Sequence, residues 1–232
     1  MHLRKDSMSE ITEKLNQVRR RIEQARGRSP YGQDVTLVAV TKFHPLEAME
    51  EAIGAGVTWV GENRVQEMEM KRARLTLPVK WTLQGHLQRN KVKKAVQLSD
   101  LIQSVDSEGI LRDIDHRAGE AGKVQDILLE FNISGEESKY GLAPSQAKDM
   151  LSLAMSLPSV CVRGMMCMAP VAENPETVRG VFKQGKALFD ALGTSCDTCR
   201  ILSMGMTQDF EVAIEEGATM VRIGTAIFGQ RK

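Results

Sequence analysis

Lys42 stands where an aliphatic run gives out. Leu37-Val38-Ala39-Val40 leads into Thr41-Lys42-Phe43-His44, and Pro45, which has no N–H for a β ladder, closes the stretch. Such a run reads as a buried strand with an amine at its C-terminal end. Desolvation there disfavours the ammonium, and a neutral amine is a nucleophile that condenses with carbonyls to a Schiff base. The plain alternative is a strand-exit lysine turned to solvent. Two other segments suit anions. Gly224-Thr225 lies between Met220–Ile223 and Ala226–Phe228, which is long enough for one helical turn. N–H groups at a helix start bind anions, and glycine lets a phosphate come close. Ser203-Met204-Gly205 is a matching turn after Arg200–Ser203.

These residues need a scaffold, and the chain supplies a repeating one. Residues 9–26 read as an amphipathic helix with Ile11, Leu15, Val18, Ile22 and Ala25 on one face, capped by Ser9 and ended by Gly27. Strands follow at Val35–Val40, Val57–Val60, Val79–Gln84, Leu101–Val105, Gln125–Asn132, Cys161–Met168, Arg200–Ser203 and Met220–Ile223. Between them, helices are expected at Leu46–Ile53, Arg64–Leu75, Gln88–Leu98, Ser107–Ala121, Pro144–Ser156, Pro175–Ala191 and Gln208–Glu216. Mostly apolar strands alternating with helices imply a parallel sheet covered on both faces. Eight such units in 232 residues fit one closed (β/α)8 TIM barrel over about residues 35–229, preceded by the first helix. A doubly wound open sheet is the alternative, but no Gly-rich dinucleotide fingerprint follows the first strand.

In a barrel, active sites sit at the C-terminal ends of the strands. That rule gathers Lys42, Glu62-Asn63, Gly85-His86, Asp106, Asn132, Met168-Ala169, Ser203-Met204-Gly205, Arg222, Gly224 and Thr225. The set holds one lysine, one arginine and Gly-bearing turns, with no carboxylate cluster and no metal-spaced histidines.

Bulk composition narrows the partners. Hydrophobic residues make up 42% and charged residues 26%, with a formal net charge of +1. No global field draws the chain to nucleic acid or to an anionic membrane. No apolar run is long enough to span a bilayer, and Met1–Asp6 shows no signal core, so the cytoplasm is the expected location. The four cysteines are expected to be thiols. Cys161 and Cys167 read as core residues. Cys196-Asp197-Thr198-Cys199 is a lone CxxC after a helix end, half a zinc site at most and poorly placed for redox work.

A phosphate site beside a Schiff-base lysine suggests pyridoxal 5'-phosphate. Leu37–Lys42, Gly61-Glu62-Asn63-Arg64-Val65-Gln66-Glu67, Leu202-Ser203-Met204-Gly205-Met206 and Val221–Gly229 together resemble the pyridoxal phosphate homeostasis protein family, which is similar to the N-terminal barrel of alanine racemases. The resemblance implies fold type III of the pyridoxal-phosphate proteins. It also implies that Lys42 forms the aldimine and that Arg222 faces the pyridine nitrogen. Ser203, Gly224 and Thr225 would hold the phosphate, with Met204 beside them and Asn63 near the cofactor. A guanidinium has no acceptor, so a nitrogen facing Arg222 stays unprotonated and the ring is a weaker electron sink. The third-strand segment Trp81-Thr82-Leu83-Gln84-Gly85 departs from the family pattern, with Thr82 for the usual His and Gln84 for the usual Ile.

The resemblance therefore implies a carrier that holds the cofactor and delivers it to pyridoxal-phosphate-dependent apo-enzymes, as a monomer. A low-activity amino-acid racemase is the alternative. It needs a second base, which alanine racemases supply as a Tyr with the help of a C-terminal β-domain that a chain ending at Lys232 is expected to lack. Of the two tyrosines, Tyr31 precedes the first strand and Tyr140 lies on the site side. A Schiff-base sugar-phosphate barrel enzyme is a further alternative.

Overall fold

The computed structural model describes residues 9–137, 139–170, 172 and 174–230. The polar start at Met1–Asp6 lies outside them. Helix α1 (Glu10–Arg28) leads into strand β1 (Thr36–Val40), and seven further strands follow: β2 (Trp59–Glu62), β3 (Lys80–Leu83), β4 (Leu101–Val105), β5 (Gln125–Phe131), β6 (Val160–Cys167), β7 (Ile201–Ser203) and β8 (Met220–Ile223). Helices α2 (Leu46–Gly54), α3 (Val65–Arg72), α4 (Val92–Leu98), α5 (Glu108–Glu120), α6 (Ala147–Ser156), α7 (Pro175–Gly193) and α8 (Phe210–Glu215) connect them, and α9 (Thr225–Phe228) follows the last strand.

All neighbouring strands are parallel, and the sheet closes in the order β1 to β8. Closure comes from β1 against β8, with Val38 opposite Arg222 and Ala39 opposite Ile223. The open-sheet alternative is thereby excluded.

Local chemistry explains where the expected bounds moved. Helix α1 runs through Gly27 to Arg28. Ser29 then turns extended (ψ 132), as a residue before proline must, so Pro30 ends the helix. Strand β2 starts two residues late because Val57 N–H still donates to Ala52 O in the closing turn of α2, where Gly56 takes φ 89. At Gly164 the β5–β6 register shifts, φ is 144, and a Cβ would lie 1.9 Å from Ile201 O. Only glycine fits that bulge.

Two apolar layers hold the barrel. The outer one packs helices on strands, with Leu15, Val18, Ile22 and Ala25 of α1 fully inside it. The inner one is a plug of Val38, Leu101, Leu128, Met166 and Met220 in the lumen. Side chains alternate along a strand, so positions two residues further on point the same way. Those positions are Val40, Gln103, Glu130, Met168 and Arg222. Gln103, Glu130 and Arg222 thus place polar groups directly above the apolar floor, below the C-terminal mouth.

All four cysteines are free. Cys167 is buried as expected, whereas Cys161 is only partly buried because it lies near the start of β6, at the rim. Cys196 and Cys199 are buried at 3% exposure, with their sulfurs 2.6 Å apart.

Candidate functional site

The C-terminal mouth encloses a cavity of about 580 Å³. Lys42, Asn63, Gln84, Met168, Arg222, Gly224 and Thr225 line it, with Met206, Thr207 and Asp209 from the turn after β7. Five residues read from the sequence as cofactor contacts (Lys42, Asn63, Arg222, Gly224 and Thr225) therefore share one wall system. The size falls within the range of small-molecule sites, and the lining is mixed, as such sites are.

Lys42 is half-buried. Its backbone is fixed from both sides. Thr41 Oγ1 donates to Glu62 Oε1 at 2.6 Å, and Lys71 Nζ donates to Thr41 O, Glu62 Oε1 and Glu67 Oε1 at 2.6, 2.7 and 2.8 Å. Glu67 Oε1 also accepts from Phe43 N–H at 2.6 Å. Phe43 sits in the left-handed region, φ 64, at a cost of about 1–2 kcal/mol for a residue with a Cβ. The Glu67 bond holds the chain in that turn. Burial pushes the Glu62 carboxyl up, and the Lys71 ammonium opposes that. Glu62 ends β2 and points toward α3, so it supports the lysine turn and does not line the cavity.

Asn63 is set by close packing. A Cβ on Gly85 would lie 2.3 Å from Asn63 O. Gln84 Nε2 donates to Asn63 Oδ1 at 3.4 Å, while Gln84 Oε1 is buried without a partner. That oxygen is turned inward beside Gly61, where a Cβ would lie 2.8 Å from it.

Arg222 is 4% exposed. Its Nη1 donates to Ser203 Oγ at 2.6 Å and its Nη2 to Cys167 O at 3.2 Å. Burial draws its pKa below the usual guanidinium value, and the charges of Glu130 and Asp209 oppose that. Burial also pushes Glu130 up to about 7, with Asp106 adding to the rise and Arg222 resisting it. One Glu130 oxygen, Oε2, has no partner. Asp209 is likewise raised by burial, and its Oδ1 accepts from Met206 N–H at 2.6 Å.

Two residues expected at the phosphate end are not brought to the cavity wall. Ser203 and Met204 are fully buried and absent from the cavity wall. Ser203 gives its only hydrogen to Gln103 Oε1 at 2.6 Å and accepts from Arg222. The chain turns outward only at Gly205, φ 93, where a Cβ would collide with Ala213 and Phe210. The groups presented after β7 are therefore Met206 and Thr207, and Ala226 N–H, in the first turn of α9, reaches Thr207 Oγ1 at 3.5 Å. Thr207, Asp209 and Glu130 escaped sequence reading. The usable signal was parity: Glu130 shares its face with Leu128.

Neither tyrosine lines the cavity. Tyr31 packs under the Lys186 ammonium at 4.5 Å. Tyr140 stacks on His86 at 3.9 Å, and His86 Nδ1 meets Asp106 Oδ2 at 2.8 Å. Among the described residues there is no metal-capable cluster of His, Cys, Asp and Glu, and no helix long and apolar enough to cross a membrane.

Comparison with known proteins points the same way. Residues 14–232 match the model of the alanine racemase N-terminal domain. A pyridoxal phosphate homeostasis protein of Aquifex aeolicus is 42% identical over 223 residues, covering 95% of this chain and 98% of the relative. A pyridoxal phosphate homeostasis protein of Escherichia coli K12 is 37% identical, covering 97% and 98%. The structure of PipY from Synechococcus elongatus with PLP bound superposes with a TM-score of 0.83 at 35% identity, covering 94% of this chain and all of PipY. An alanine racemase of Clostridium difficile, 15% identical with a TM-score of 0.74, shares the fold over 57% of its own length.

Proposed function

The chain belongs to the alanine racemase N-terminal domain family, and within it to the pyridoxal phosphate homeostasis proteins, and on that footing we propose that it binds pyridoxal 5'-phosphate covalently and delivers it to apo-enzymes. Lys42 supplies the amine for the Schiff base. Arg222 faces the ring nitrogen, Asn63 and Gln84 flank the ring, and Gly224, Thr225 and Thr207 hold the phosphate. When bound, the cofactor supplies an aldehyde and an electron-withdrawing ring; the chain supplies orientation and shelter. The observation that carries this reading is the meeting of Lys42, Arg222 and the turns after β7 and β8 in one cavity.

The donor set fits the cofactor. Thr207 and Thr225 offer hydroxyls at the anion end, and the arginine gives a cation that stays protonated at neutral pH. In this reading the protein acts as a monomer in the cytoplasm. Neither tyrosine lines the cavity, so the tyrosine that alanine racemases use as second base has no counterpart among the described lining residues.

Addition of pyridoxal phosphate to the purified chain should produce the yellow band of an internal imine, and Lys42→Ala should abolish it. No band in the parent chain would sink the covalent reading. Deuterium uptake and D-isomer from L-alanine in D₂O at useful turnover would replace the carrier with the racemase. A sugar-phosphate enzyme would show neither the band nor that exchange.

A further inference from the structure

The polar layer of the lumen contains a hydrogen-bonded chain that runs across the barrel. Arg222 on β8 donates to Ser203 on β7, 2.6 Å, and Ser203 donates to Gln103 Oε1 on β4, 2.6 Å. Gln103 Nε2 donates in turn to Thr82 Oγ1 on β3, 3.0 Å. Thr82, Gln103 and Ser203 have no exposed surface, and Arg222 is 4% exposed. Strands β4 and β7 are not neighbours, so the Ser203–Gln103 bond spans the lumen itself. Each partner fixes the next. A serine has a single hydrogen, and here Gln103 takes it, which leaves Ser203 Oγ only lone pairs for the guanidinium. Gln103 has its carbonyl oxygen toward Ser203 and its amide nitrogen toward Thr82, and that orientation holds only while Thr82 accepts. Bonds that polarise one another in a dry interior are stronger than the same bonds in water.

We propose that Thr82, Gln103 and Ser203 form a positioning chain for Arg222, so that the guanidinium's aim at a bound pyridine ring is set from across the barrel. This rests on the cofactor reading above. Ser203 and Cys167 O engage two of the five guanidinium N–H groups and fix the plane of the fork, and with it the directions of the three donors that remain. The chain gives a role to Thr82, which sequence reading left without one, and a different role to Ser203. Thr82, a departure from the family pattern, is the terminal acceptor, and Ser203, expected at the phosphate, is the link to Arg222. None of the three touches the cavity, so they are positioning residues.

The test compares Gln103→Leu, Thr82→Val and the conservative Thr82→Ser with the parent chain. Three measurements are made: affinity for pyridoxal phosphate, the NMR shift of cofactor isotope-labelled at the ring nitrogen, and thermal stability. Gln103→Leu and Thr82→Val should weaken binding by about tenfold, in line with a charge-assisted hydrogen bond lost from its proper geometry. Their ring nitrogen should move toward the protonated shift, and Thr82→Ser should restore both values. Thr82→Val is nearly isosteric, so it keeps the test open if Gln103→Leu does not fold. Unchanged affinity and an unchanged nitrogen shift in Thr82→Val, at whatever melting temperature, would overturn the proposal. Absence of the yellow band in the parent chain would instead remove the cofactor reading on which it rests.

Discussion

Glu130→Gln is the substitution whose effect the structure fixes most directly. Glu130 lies in the lumen one step above the apolar plug, 3% exposed, with Oε2 unpaired. Burial pushes its pKa from 4.5 to about 7. A carboxyl raised in this way binds its proton more tightly in the native state than in the unfolded chain. That contribution is full below the unfolded value near 4.5 and is lost as pH rises through about 7. The gap corresponds to about 3 kcal/mol between the two limits. A glutamine has the same shape and never ionises. The variant should therefore match the parent near pH 5 and exceed it increasingly above neutrality. Urea unfolding of the cofactor-free chains across about pH 5 to pH 8.5 measures this. The stability difference should grow by about 3 kcal/mol in the variant's favour, or roughly 6–12 °C in melting temperature for a chain of this length. Glu62 and Asp209 are also raised by burial, but both chains contain them, so they cancel in the difference. A difference that stays flat with pH would refute the reasoning, because it would mean that Glu130 ionises as readily in the barrel as in water.

Three further outcomes follow from the site. Lys71→Met should cost about 3–5 kcal/mol in urea unfolding, because Glu62, whose side chain is fully buried, then keeps only the Thr41 hydroxyl and loses the cation that opposes its desolvation; adding Glu62→Gln should recover part of that loss. Gly85→Ala must move Asn63, whose carbonyl lies 2.3 Å from the new Cβ, and should weaken pyridoxal phosphate binding in an absorbance titration by more than about tenfold. Thr207→Val removes a hydroxyl proposed for the phosphate end and should lower affinity for pyridoxal phosphate by about tenfold while leaving binding of unphosphorylated pyridoxal unchanged.

The barrel was legible because its signals are local and repeated. Apolar strand runs, a Pro or Gly at most element ends and helical periodicity each survive without long-range information. Lys42 and Arg222 were legible for the same reason, since a strand's C-terminal end is a place the sequence marks. What escaped depends on which way a side chain faces. Ser203 looks like a turn residue beside Gly205, yet it is the last residue of a strand that points inward, and only the cross-lumen partners Gln103 and Arg222 show that. Glu130 hides in Leu128-Leu129-Glu130-Phe131 as a single charge in an apolar run. Its burial follows only once the parity of Leu128 in the plug is known. Gly27 misled for a different reason: a glycine is permitted to end a helix but not obliged to, whereas Pro30 constrains the residue before it.

The layered lumen also bears on why the proposed site would hold a cofactor with little turnover. Strong carbanion chemistry needs a protonated ring nitrogen, and an arginine cannot accept that proton. A carboxylate in its place would. Such a group is near: Glu130 lies close enough to Arg222 for each to shift the other. Yet burial raises Glu130 to about 7, so near neutral pH it is only partly ionised and only partly offsets the guanidinium's charge. Arg222 itself is committed to Ser203 and Cys167 O and cannot swing to meet Glu130 without breaking two bonds. In the carrier reading proposed above, a mouth that neither tyrosine reaches serves retention and release of the cofactor.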